Sequence, residues 1–259
     1  MNYWLLKSEP NSFSTDNLSL QTNQKEKSMQ NNQNASTLKQ KAAQAAIEYI
    51  QKHYEEPFVL GVGTGSTTLC FIELLPSIKH LILGTVPSSS STEQALKKLG
   101  FPIFDPNGQD ILVYVDGADE VNGLFQCIKG GGAALMREKI LATQAKTFIC
   151  IADESKKVRA LGRFPVPIEV HPMARSYVAR KLVLLGANPV YREQIITDNG
   201  NVILDTYDLN LTKPIETENR IKQITGVVET GIFAQRSADI LIVGTAKGAE
   251  LSKTEHRFS

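Results

Sequence analysis

The sequence predicts an α/β protein in which a domain built on a parallel sheet carries a smaller, inserted α+β domain. Short apolar, β-branched runs without polar alternation, which are typical of buried parallel strands, are separated by helical patterns. Glycine-rich or acidic loops directly follow several of these runs. Between residues 163 and 237 the pattern changes to short strands and helices around a hairpin signal. We therefore expect a Rossmann-like domain from residues 37–162 and 238–259, with the smaller domain at 163–237.

The composition is that of a globular protein with balanced charge. Lys and Arg total 28 and Asp and Glu total 27, so the net charge is +1 and nothing favours nucleic acid or an anionic membrane as a partner. No apolar run is long enough to span a bilayer, and the N-terminus lacks the features of a signal peptide. The cysteines are odd in number and the histidines are scattered. We therefore expect a cytoplasmic protein without a disulfide framework or a metal cluster.

Residues 1–36 differ from the rest of the chain. Residues 1–18 resemble the first residues of an EVE (PUA-like) domain, but this match is too short to fold as such a domain. Residues 19–36 are rich in Gln and Asn, a composition that predicts a disordered linker, and Met29 within them is a candidate alternative start. We expect a disordered extension. The other interpretation is a vestigial or fused RNA-related module.

Two segments that precede the central motifs predict helices. Leu38–Gln51 is Ala-rich and places its apolar side chains on one face. The serine run at residues 88–91, followed by Thr92, precedes Glu93 as at a capped helix start, and Gly100 marks the end of that helix. Phe101–Phe104 is a further strand candidate.

The loop after the strand Phe58–Gly63 predicts an anion-binding site. It reads GVGTGST and leads into a helix at about Thr67–Leu75. Glycines let the backbone approach a ligand closely, and the start of a helix offers free N–H groups. The hydroxyls of Thr64, Ser66 and Thr67 add further donors.

This loop favours a single phosphate over a dinucleotide. It lacks the Gly-Lys-Ser/Thr ending of a Walker A loop, and Ser66 stands where a dinucleotide fingerprint has its third glycine. The next strand, Leu81–Val86, ends without an acid that could bind a ribose. The alternative is an ordinary glycine turn between a strand and a helix.

Most of the chemistry lies between residues 110 and 145. The buried strand Ile111–Val115 is followed by acids at Asp116, Asp119 and Glu120. A Lys-Gly-Gly-Gly sequence at 129–132 then leads into a helix from about Ala133. Because ligands of open α/β sheets bind beyond the carboxyl ends of the strands, these residues lie where a site is expected.

Glu138 is a carboxylate inside an apolar helical stripe. Residues three and four apart share a helix face, and here that face consists of Ala134, Leu135, Glu138, Leu141, Ala142 and Ala145. Burial would raise the pKa of Glu138 and make it a better proton acceptor at neutral pH. Arg137, Lys139 and Lys146 fall on faces that we expect to be solvated. The alternative is that Glu138 lies at the edge of the stripe and pairs with a Lys or Arg.

Lys156 follows another predicted strand, Thr147–Ala152, in the polar sequence Asp-Glu-Ser-Lys. The carboxyl-end rule places it near the same site, where it could bind a phosphate, whereas a surface lysine in a polar turn is the alternative. The chain returns to the first domain with a strand at Ala238–Thr245.

The smaller domain shows a ferredoxin-like order of strand, helix, strand, strand, helix and strand. An extended, Pro-bounded segment begins at Phe164, and the remaining expected elements follow in order. They are a helix at Met173–Leu185, strands at Asn188–Tyr191, Gln194–Thr197 and Val202–Thr206, a helix at Pro214–Ile224 and a strand at Val227–Phe233. The sequence Asp-Asn-Gly at 198–200 predicts a hairpin turn between the second and third of these strands.

Together these motifs resemble ribose-5-phosphate isomerase, type A. The matching residues are DGADE (Asp116–Glu120), KGGGAAL-REK (Lys129–Lys139, with Met136 at the gap) and GTGST (Gly63–Thr67). The sequences CIADESK, PMARS and ITDNGN continue the resemblance, which covers roughly Thr37–Lys247. Several motifs in the right order are more specific than any single glycine loop.

The resemblance implies interconversion of ribose 5-phosphate and ribulose 5-phosphate in the pentose phosphate pathway, with no metal or organic cofactor. It implies a homodimer or tetramer that binds a small sugar phosphate. It gives no reason to expect binding to nucleic acid or to a membrane.

The resemblance also implies roles for the charged residues. Moving a proton between C1 and C2 through an enediol(ate) requires a base, donors for the developing oxyanion and help with ring opening. Glu138 is the implied base and Lys129 the implied oxyanion donor. Asp116 would act in ring opening and proton transfer at oxygen, and Asp119 would bind hydroxyls or act at the oxyanion.

The implied substrate-binding residues come from all of these loops. The phosphate would lie on the loop at 65–67, with Lys156 and Lys39. The full set is Thr64, Gly65, Ser66, Thr67, Asp116, Gly117, Ala118, Asp119, Lys129, Gly130, Gly131, Gly132, Lys156 and Lys39.

Two other classes of function stay open at the level of sequence. A related fold could serve another sugar-phosphate enzyme or a regulator that binds a sugar phosphate without turnover, although no helix-turn-helix is evident at a terminus. An RNA-binding protein is the second alternative. It would depend on the EVE-like residues 1–18 and has no basic patch to support it.

Overall fold

A computed structural model describes residues 15–254 of the chain, with side chains from residue 34 onward. Its helices are α1 Thr15–His53, α2 Ser66–Leu74, α3 Ser90–Lys98, α4 Leu135–Gln144, α5 Arg175–Leu184 and α6 Pro214–Lys222. Its strands are β1 Phe58–Val62, β2 Ile82–Pro87, β3 Ile111–Asp116, β4 Glu120–Val121, β5 Cys127–Ile128, β6 Thr147–Asp153, β7 Val166–Val170, β8 Asn188–Tyr191, β9 Val202–Tyr207, β10 Val227–Thr230, β11 Ile232–Phe233, β12 Ile240–Thr245 and β13 Gly248–Lys253.

Six strands form the main sheet, in the order β13-β12-β6-β3-β1-β2. All neighbouring pairs are parallel except β12 and β13, which pair antiparallel. The predicted parallel sheet is therefore confirmed. Because β1, β3 and β6 are neighbours, their carboxyl ends lie side by side at one edge of the sheet.

Both faces of the main sheet are buried, which explains the uninterrupted apolar strands. On β1, Leu60 and Val62 belong to the apolar cluster that includes the buried side chains of α1 and α2. Val59 belongs to the cluster on the other face, which includes Leu141 and Ala142 of α4. Helices on both faces thus cover the sheet and leave its edge at the strand ends free for loops.

The chain divides by its contacts into residues 1–37 and residues 38–259. The helix α1 begins at Thr15 rather than near Leu38, and the expected disordered extension at residues 1–36 stays a prediction. No Gly or Pro occurs between Thr15 and His53, and therefore nothing in the sequence interrupts the helix there. The first fourteen residues of the EVE-like segment lie outside the described residues.

A second, four-stranded sheet is antiparallel, in the order β10-β7-β9-β8. The chain passes through β7, α5, β8, β9, α6 and β10 in the order predicted for the smaller domain. An apolar cluster of its own includes Val178 and Leu182 of α5 and Ile221 of α6. The predicted fold class is confirmed, whereas the domain boundaries at 162/163 and 237/238 stay a prediction.

The predicted strand Gln194–Thr197 is wrong, because β8 pairs directly with β9. Gln194 has a φ of 60°, which ends extended backbone there. The predicted turn at 198–200 is present: Gly200, at φ 77°, donates its N–H to the carbonyl of Thr197 at 2.9 Å. The buried Glu169 carboxylate accepts hydrogen bonds from the side chains of Thr197, Asn199 and Asn201.

A third sheet, β11-β5-β4, was not predicted. The single strand expected at Val227–Phe233 is broken at Gly231, so that β10 joins the four-stranded sheet and β11 joins the small one. A Cβ at Gly231 would lie 2.2 Å from the carbonyl oxygen of Lys129, and only glycine fits there. Lys129 donates its own N–H to the carbonyl of Gly231 at 2.9 Å. The small sheet thereby fixes the backbone of Lys129.

Phe101–Phe104, the other strand candidate, forms only a single bridge, between Ile103 and Thr85 of β2. Two prolines, at 102 and 106, flank this bridge and limit the backbone donors available for a longer ladder. Among the helices of the described residues, none combines the length and the apolar character needed to cross a bilayer.

Candidate active site

The loops after β1 and β3, the glycine loop at 130–132 and α4 surround one cavity of about 120 Å³. Thirteen of the fourteen predicted substrate-binding residues line it, and so does Glu138. They are Lys39, Thr64, Gly65, Ser66, Thr67, Gly117, Ala118, Asp119, Lys129, Gly130, Gly131, Gly132 and Lys156. The remaining residue, Asp116, is fully buried behind the cavity wall.

Asp116 is the last residue of β3. Hydrogen-bond donors from the loops after β1 and β3 and from α2 surround one of its carboxylate oxygens. Its Oδ1 accepts hydrogen bonds from the N–H of Gly117 at 2.7 Å, the N–H of Thr64 at 3.1 Å and the hydroxyl of Thr68 at 3.2 Å. A Cβ at Gly63 would lie 1.9 Å from this oxygen, so the glycine at the end of β1 leaves the space that the carboxylate fills.

The other oxygen of Asp116 contacts two side chains. Its Oδ2 accepts a hydrogen bond from the Tyr114 hydroxyl and lies 2.6 Å from Lys129 Nζ. Tyr114 is fully buried, and burial together with the neighbouring Asp116 charge raises the pKa of its hydroxyl well above its ordinary value. The phenol therefore stays protonated and serves as a donor to the carboxylate.

Lys129 lies between the two carboxylates of the site. Its Nζ is 2.6 Å from Asp116 Oδ2 and 3.2 Å from Glu138 Oε2, and it donates to the carbonyl of Gly117 at 2.7 Å. Burial alone would lower the pKa of Lys129, but the charges of Asp116 and Glu138 outweigh burial and raise the pKa above its ordinary value. The site therefore contains a fixed ammonium group.

Glu138 is 3% exposed, and the whole predicted stripe on α4 is buried. Burial, followed by the charge of Asp116, raises the pKa of Glu138 to about 8, although Lys129 acts in the opposite direction. Its Oε2 makes no hydrogen bond within the described residues. The carboxylate thus combines both sequence interpretations, because it is buried within the stripe and also faces a lysine.

Asp119 holds the glycine loop from one side. Its Oδ2 accepts a hydrogen bond from the N–H of Gly131 at 2.8 Å, and a Cβ at Gly131 would lie 2.7 Å from Oδ1. At Gly130 φ is 106°, and a Cβ there would contact Leu135 and Pro167 at 3.1 Å. Both glycines are therefore required by close contacts of the loop.

The loop after β1 offers the cavity the expected anion donors. Gly65, at φ 120°, precedes the first turn of α2, whose N–H groups at Ser66 and Thr67 are not used by the helix. Lys39 and Lys156 line the same cavity. The hydroxyl of Thr64 has local partners, since Ser88 and Ser89 lie 2.8 Å from it.

Sequence reasoning missed Tyr114 and Thr68 as partners of Asp116. Tyr114 stands inside an apolar strand, where an aromatic residue is typical of the core, and Thr68 stands inside an ordinary helix. The position of Thr68 in the first turn of the helix after the glycine loop was the only available signal.

The expectation that Lys139 is solvated is wrong. It is 6% exposed, and its Nζ lies 2.6 Å from Glu218 and 3.3 Å from Glu229. It also donates to the carbonyl of Thr230 at 2.8 Å. The reason is that α6 and β10 pack over this face of α4, which one helix examined alone does not reveal. Arg137 and Lys146 do lie outside the buried stripe.

Within the part of the chain that the structure describes, no three His, Cys, Asp or Glu side chains are grouped as metal ligands would be.

Comparison with known proteins connects this geometry to a family. The family model of ribose 5-phosphate isomerase A (phosphoriboisomerase A) matches residues 84–248. A solved ribose 5 phosphate isomerase A from Neisseria gonorrhoeae is 44% identical, with a TM-score of 0.81; the match covers 85% of this chain and 97% of that chain.

Two further solved structures show the same similarity. A ribose 5-phosphate isomerase A from Methanocaldococcus jannaschii is 36% identical over 84% of this chain and 98% of its own, with a TM-score of 0.77. A D-ribose-5-phosphate isomerase in complex with phospho-erythronic acid is 39% identical over 85% of this chain and 100% of its own, with a TM-score of 0.79.

Proposed function

Since this chain belongs to the ribose 5-phosphate isomerase A family and interconverts ribose 5-phosphate and ribulose 5-phosphate, we propose that Glu138 is the base that moves the proton between C1 and C2. One observation carries this assignment. Glu138 is a buried carboxylate that lines the cavity, has a pKa raised to about 8 and lies 3.2 Å from the Lys129 ammonium group. A base of this pKa is well matched to neutral solution, and one carboxylate can serve both adjacent carbons.

Lys129 is our candidate for the oxyanion donor. Its ammonium group is held at the cavity between two carboxylates, so its charge is already oriented before an enediolate develops. The glycine loop supports the same role, because the N–H of Gly132 has no acceptor among the described residues. Preorganised donors of this kind cost no reorganisation when charge develops on the substrate.

Asp116 and Asp119 are proposed to assist Glu138 and Lys129 in the reaction. The Asp116 carboxylate contacts Lys129 and does not line the cavity, so its proposed part in ring opening and proton transfer at oxygen proceeds through the lysine. Asp119 lines the cavity and retains its proposed contact with substrate hydroxyls. The phosphate is proposed to bind at residues 65–67 together with Lys156 and Lys39.

The remaining proposals concern the state of the enzyme. We propose a homodimer that acts in the cytoplasm without metal, as the family resemblance implies. A monomeric mass by light scattering at assay concentration would contradict the dimer. The EVE-like residues 1–18 are proposed to contribute nothing to isomerisation.

The experiment that tests the function measures ribulose 5-phosphate formed from ribose 5-phosphate in the presence of EDTA. We expect turnover by the full chain and equal turnover by a variant that lacks residues 1–36. Turnover that appears only after metal is added would refute metal independence. A folded full chain without turnover under either condition would refute the activity, and a loss confined to the truncated variant would give residues 1–36 a role.

The pKa of Glu138 predicts the pH dependence of the reaction. Only the deprotonated carboxylate accepts a proton, so kcat/KM should rise with pH between about 7 and 9, with its midpoint near 8. Lys129 stays protonated over this range because its pKa is raised. Initial rates at low substrate concentration measure the profile. A rate that is constant from pH 6 upward would indicate a base with an ordinary carboxylate pKa.

A further inference from the structure

We propose that Arg192 is a positioning residue for catalysis, which orients the glycine loop so that the N–H of Gly132 is available to the developing oxyanion. Arg192 follows β8 of the four-stranded sheet and lies outside every motif used above. The inference rests on the proposed function of the loop and adds a residue from a distant part of the sequence to it.

The contacts of Arg192 are specific to the loop backbone. Its Nη1 donates to the carbonyl oxygens of Gly130 and Gly131, each at 3.1 Å. On its other edge, Nε donates to Asp205 Oδ2 at 2.8 Å, and Nη2 pairs with Asp205 Oδ1. Both side chains are less than one-fifth exposed. The guanidinium group is therefore held in one orientation by β9 while it binds two successive carbonyls of the loop.

Because the peptide bond is planar, contacts that fix the carbonyls of Gly130 and Gly131 also fix the direction of the N–H groups that follow them. In a trans peptide the C=O and the following N–H point in opposite directions. The carbonyl of Gly130 faces Arg192, and the N–H of Gly131 correspondingly binds Asp119 at 2.8 Å on the other side. The carbonyl of Gly131 also faces Arg192, so the N–H of Gly132 points away from the guanidinium. This N–H has no acceptor within the described residues, and Gly132 lines the catalytic cavity.

Three consecutive glycines give such an external contact a role in fixing the loop. Glycine has access to both positive and negative φ, so a free Gly-Gly-Gly segment can rotate its peptide planes at little energetic cost. Asp119 fixes the peptide between Gly130 and Gly131, and the N–H of Ala133 closes the turn by donating to the carbonyl of Gly130 at 3.0 Å, a bond that does not involve the peptide between Gly131 and Gly132. Arg192 is the side chain that holds the next peptide, the one that carries the Gly132 N–H.

The role is one of geometry rather than of charge. The Asp205 carboxylate pairs with Arg192 and balances its positive charge locally. A lysine at this position would keep the charge but would lack the planar fork that serves two carbonyls and a carboxylate together. We therefore expect Arg192→Lys to recover only part of the activity lost in Arg192→Met.

Arg236 provides a matched control. It also pairs with an aspartate, Asp239 at 2.7 Å, and donates to backbone carbonyls at Ala142 and Ala145. Its exposure equals that of Arg192 to within one per cent, at 17% against 18%. Its carbonyl partners lie toward the C-terminal end of α4, outside the residues that line the catalytic cavity.

The test compares steady-state kinetics of Arg192→Met and Arg236→Met with wild type. We expect Arg192→Met to lower kcat by about tenfold to a hundredfold while KM changes by less than about threefold, since a donor used in the transition state is lost. Arg236→Met should keep kcat within about twofold. Equal kcat values for Arg192→Met and wild type would overturn the proposal, as would equal losses in both variants.

Ligand binding separates positioning from a loss of folding. Phospho-erythronate carries a carboxylate whose two oxygens resemble those of the enediolate, so its Kd should rise in Arg192→Met by about the factor lost in kcat. The Kd of inorganic phosphate should stay at its wild-type value. If Arg192→Met does not fold, the Asp205→Asn variant tests the proposal instead. Asparagine keeps the shape of the aspartate side chain but holds the Arg192 guanidinium less firmly. A normal kcat and a normal phospho-erythronate Kd in Asp205→Asn would then refute the role. Absence of turnover in wild type would instead count against the proposed function.

Discussion

Glu138→Gln should abolish isomerisation while binding of ribose 5-phosphate survives. Glutamine keeps the shape of the side chain and the position of α4, but its amide does not accept a proton at neutral pH. Loss of general base catalysis costs on the order of 10²–10⁴ in rate, and we expect a fall in kcat at least at the upper end of this range because Glu138 is the carboxylate at the cavity whose pKa is raised to about 8. Single-turnover assays and calorimetric titration with ribose 5-phosphate measure the two effects separately. Near-normal turnover would refute the assignment of the base.

The thermal stability of Glu138→Gln, measured at two pH values, is a further test on the same variant. The folded pKa of Glu138, about 8, lies above that of an exposed glutamate. The protonated form of Glu138 therefore makes its full contribution to stability below the pKa that Glu138 has in the unfolded chain. This contribution is lost as pH rises through about 8. Glu138→Gln should consequently have a higher Tm than wild type at pH 9, with a smaller difference at pH 5. A lower Tm at pH 9 would mean that the buried charge stabilises the fold.

Lys129→Ala should reduce kcat much more than Lys156→Ala does. Lys129 Nζ is buried between Asp116 and Glu138, and we propose that its fixed positive charge stabilises the developing oxyanion. Removal of such a donor lowers kcat by about 10²–10³. Lys156 is proposed to bind only the phosphate, so its replacement should mainly raise KM. Steady-state kinetics of both variants decide between these roles.

Loss of Lys129 also leaves Asp116 buried without a cation, so the Tm of Lys129→Ala must be compared with that of wild type. Kinetics should be recorded well below that temperature. If both lysine variants changed only KM, the oxyanion role of Lys129 would be contradicted.

The sequence predicted most of the residues that line the cavity because they follow strand ends. Once β1, β3 and β6 are neighbours in a parallel sheet, the loops after them meet, and Thr64–Thr67, Gly117–Asp119 and Lys156 come together without further information. Glu138 could be identified because a carboxylate inside an apolar helical stripe departs from the expected pattern.

The features that were missed depend on contacts between segments distant in the chain. Lys139 looks solvated on its own helix, and only the packing of α6 and β10 buries it against Glu218. The break at Gly231 depends on the backbone of Lys129, which lies elsewhere in the sequence. Arg192 stands in a polar segment that resembles any surface loop. Periodicity and local motifs do not contain information on such pairings.

The pairing of Lys129 with Gly231 has a consequence for how the protein folds. About a hundred residues separate the two, and contacts of such sequence separation form slowly because a long loop must first be closed. During synthesis the lysine backbone lacks its partner until β11 has left the ribosome, and β12 must then still insert beside β6. The ammonium group of Lys129 is therefore expected to reach its final position among the last events of folding. Nascent chains that end before Gly231 should lack activity even where the first strands of the main sheet have already formed.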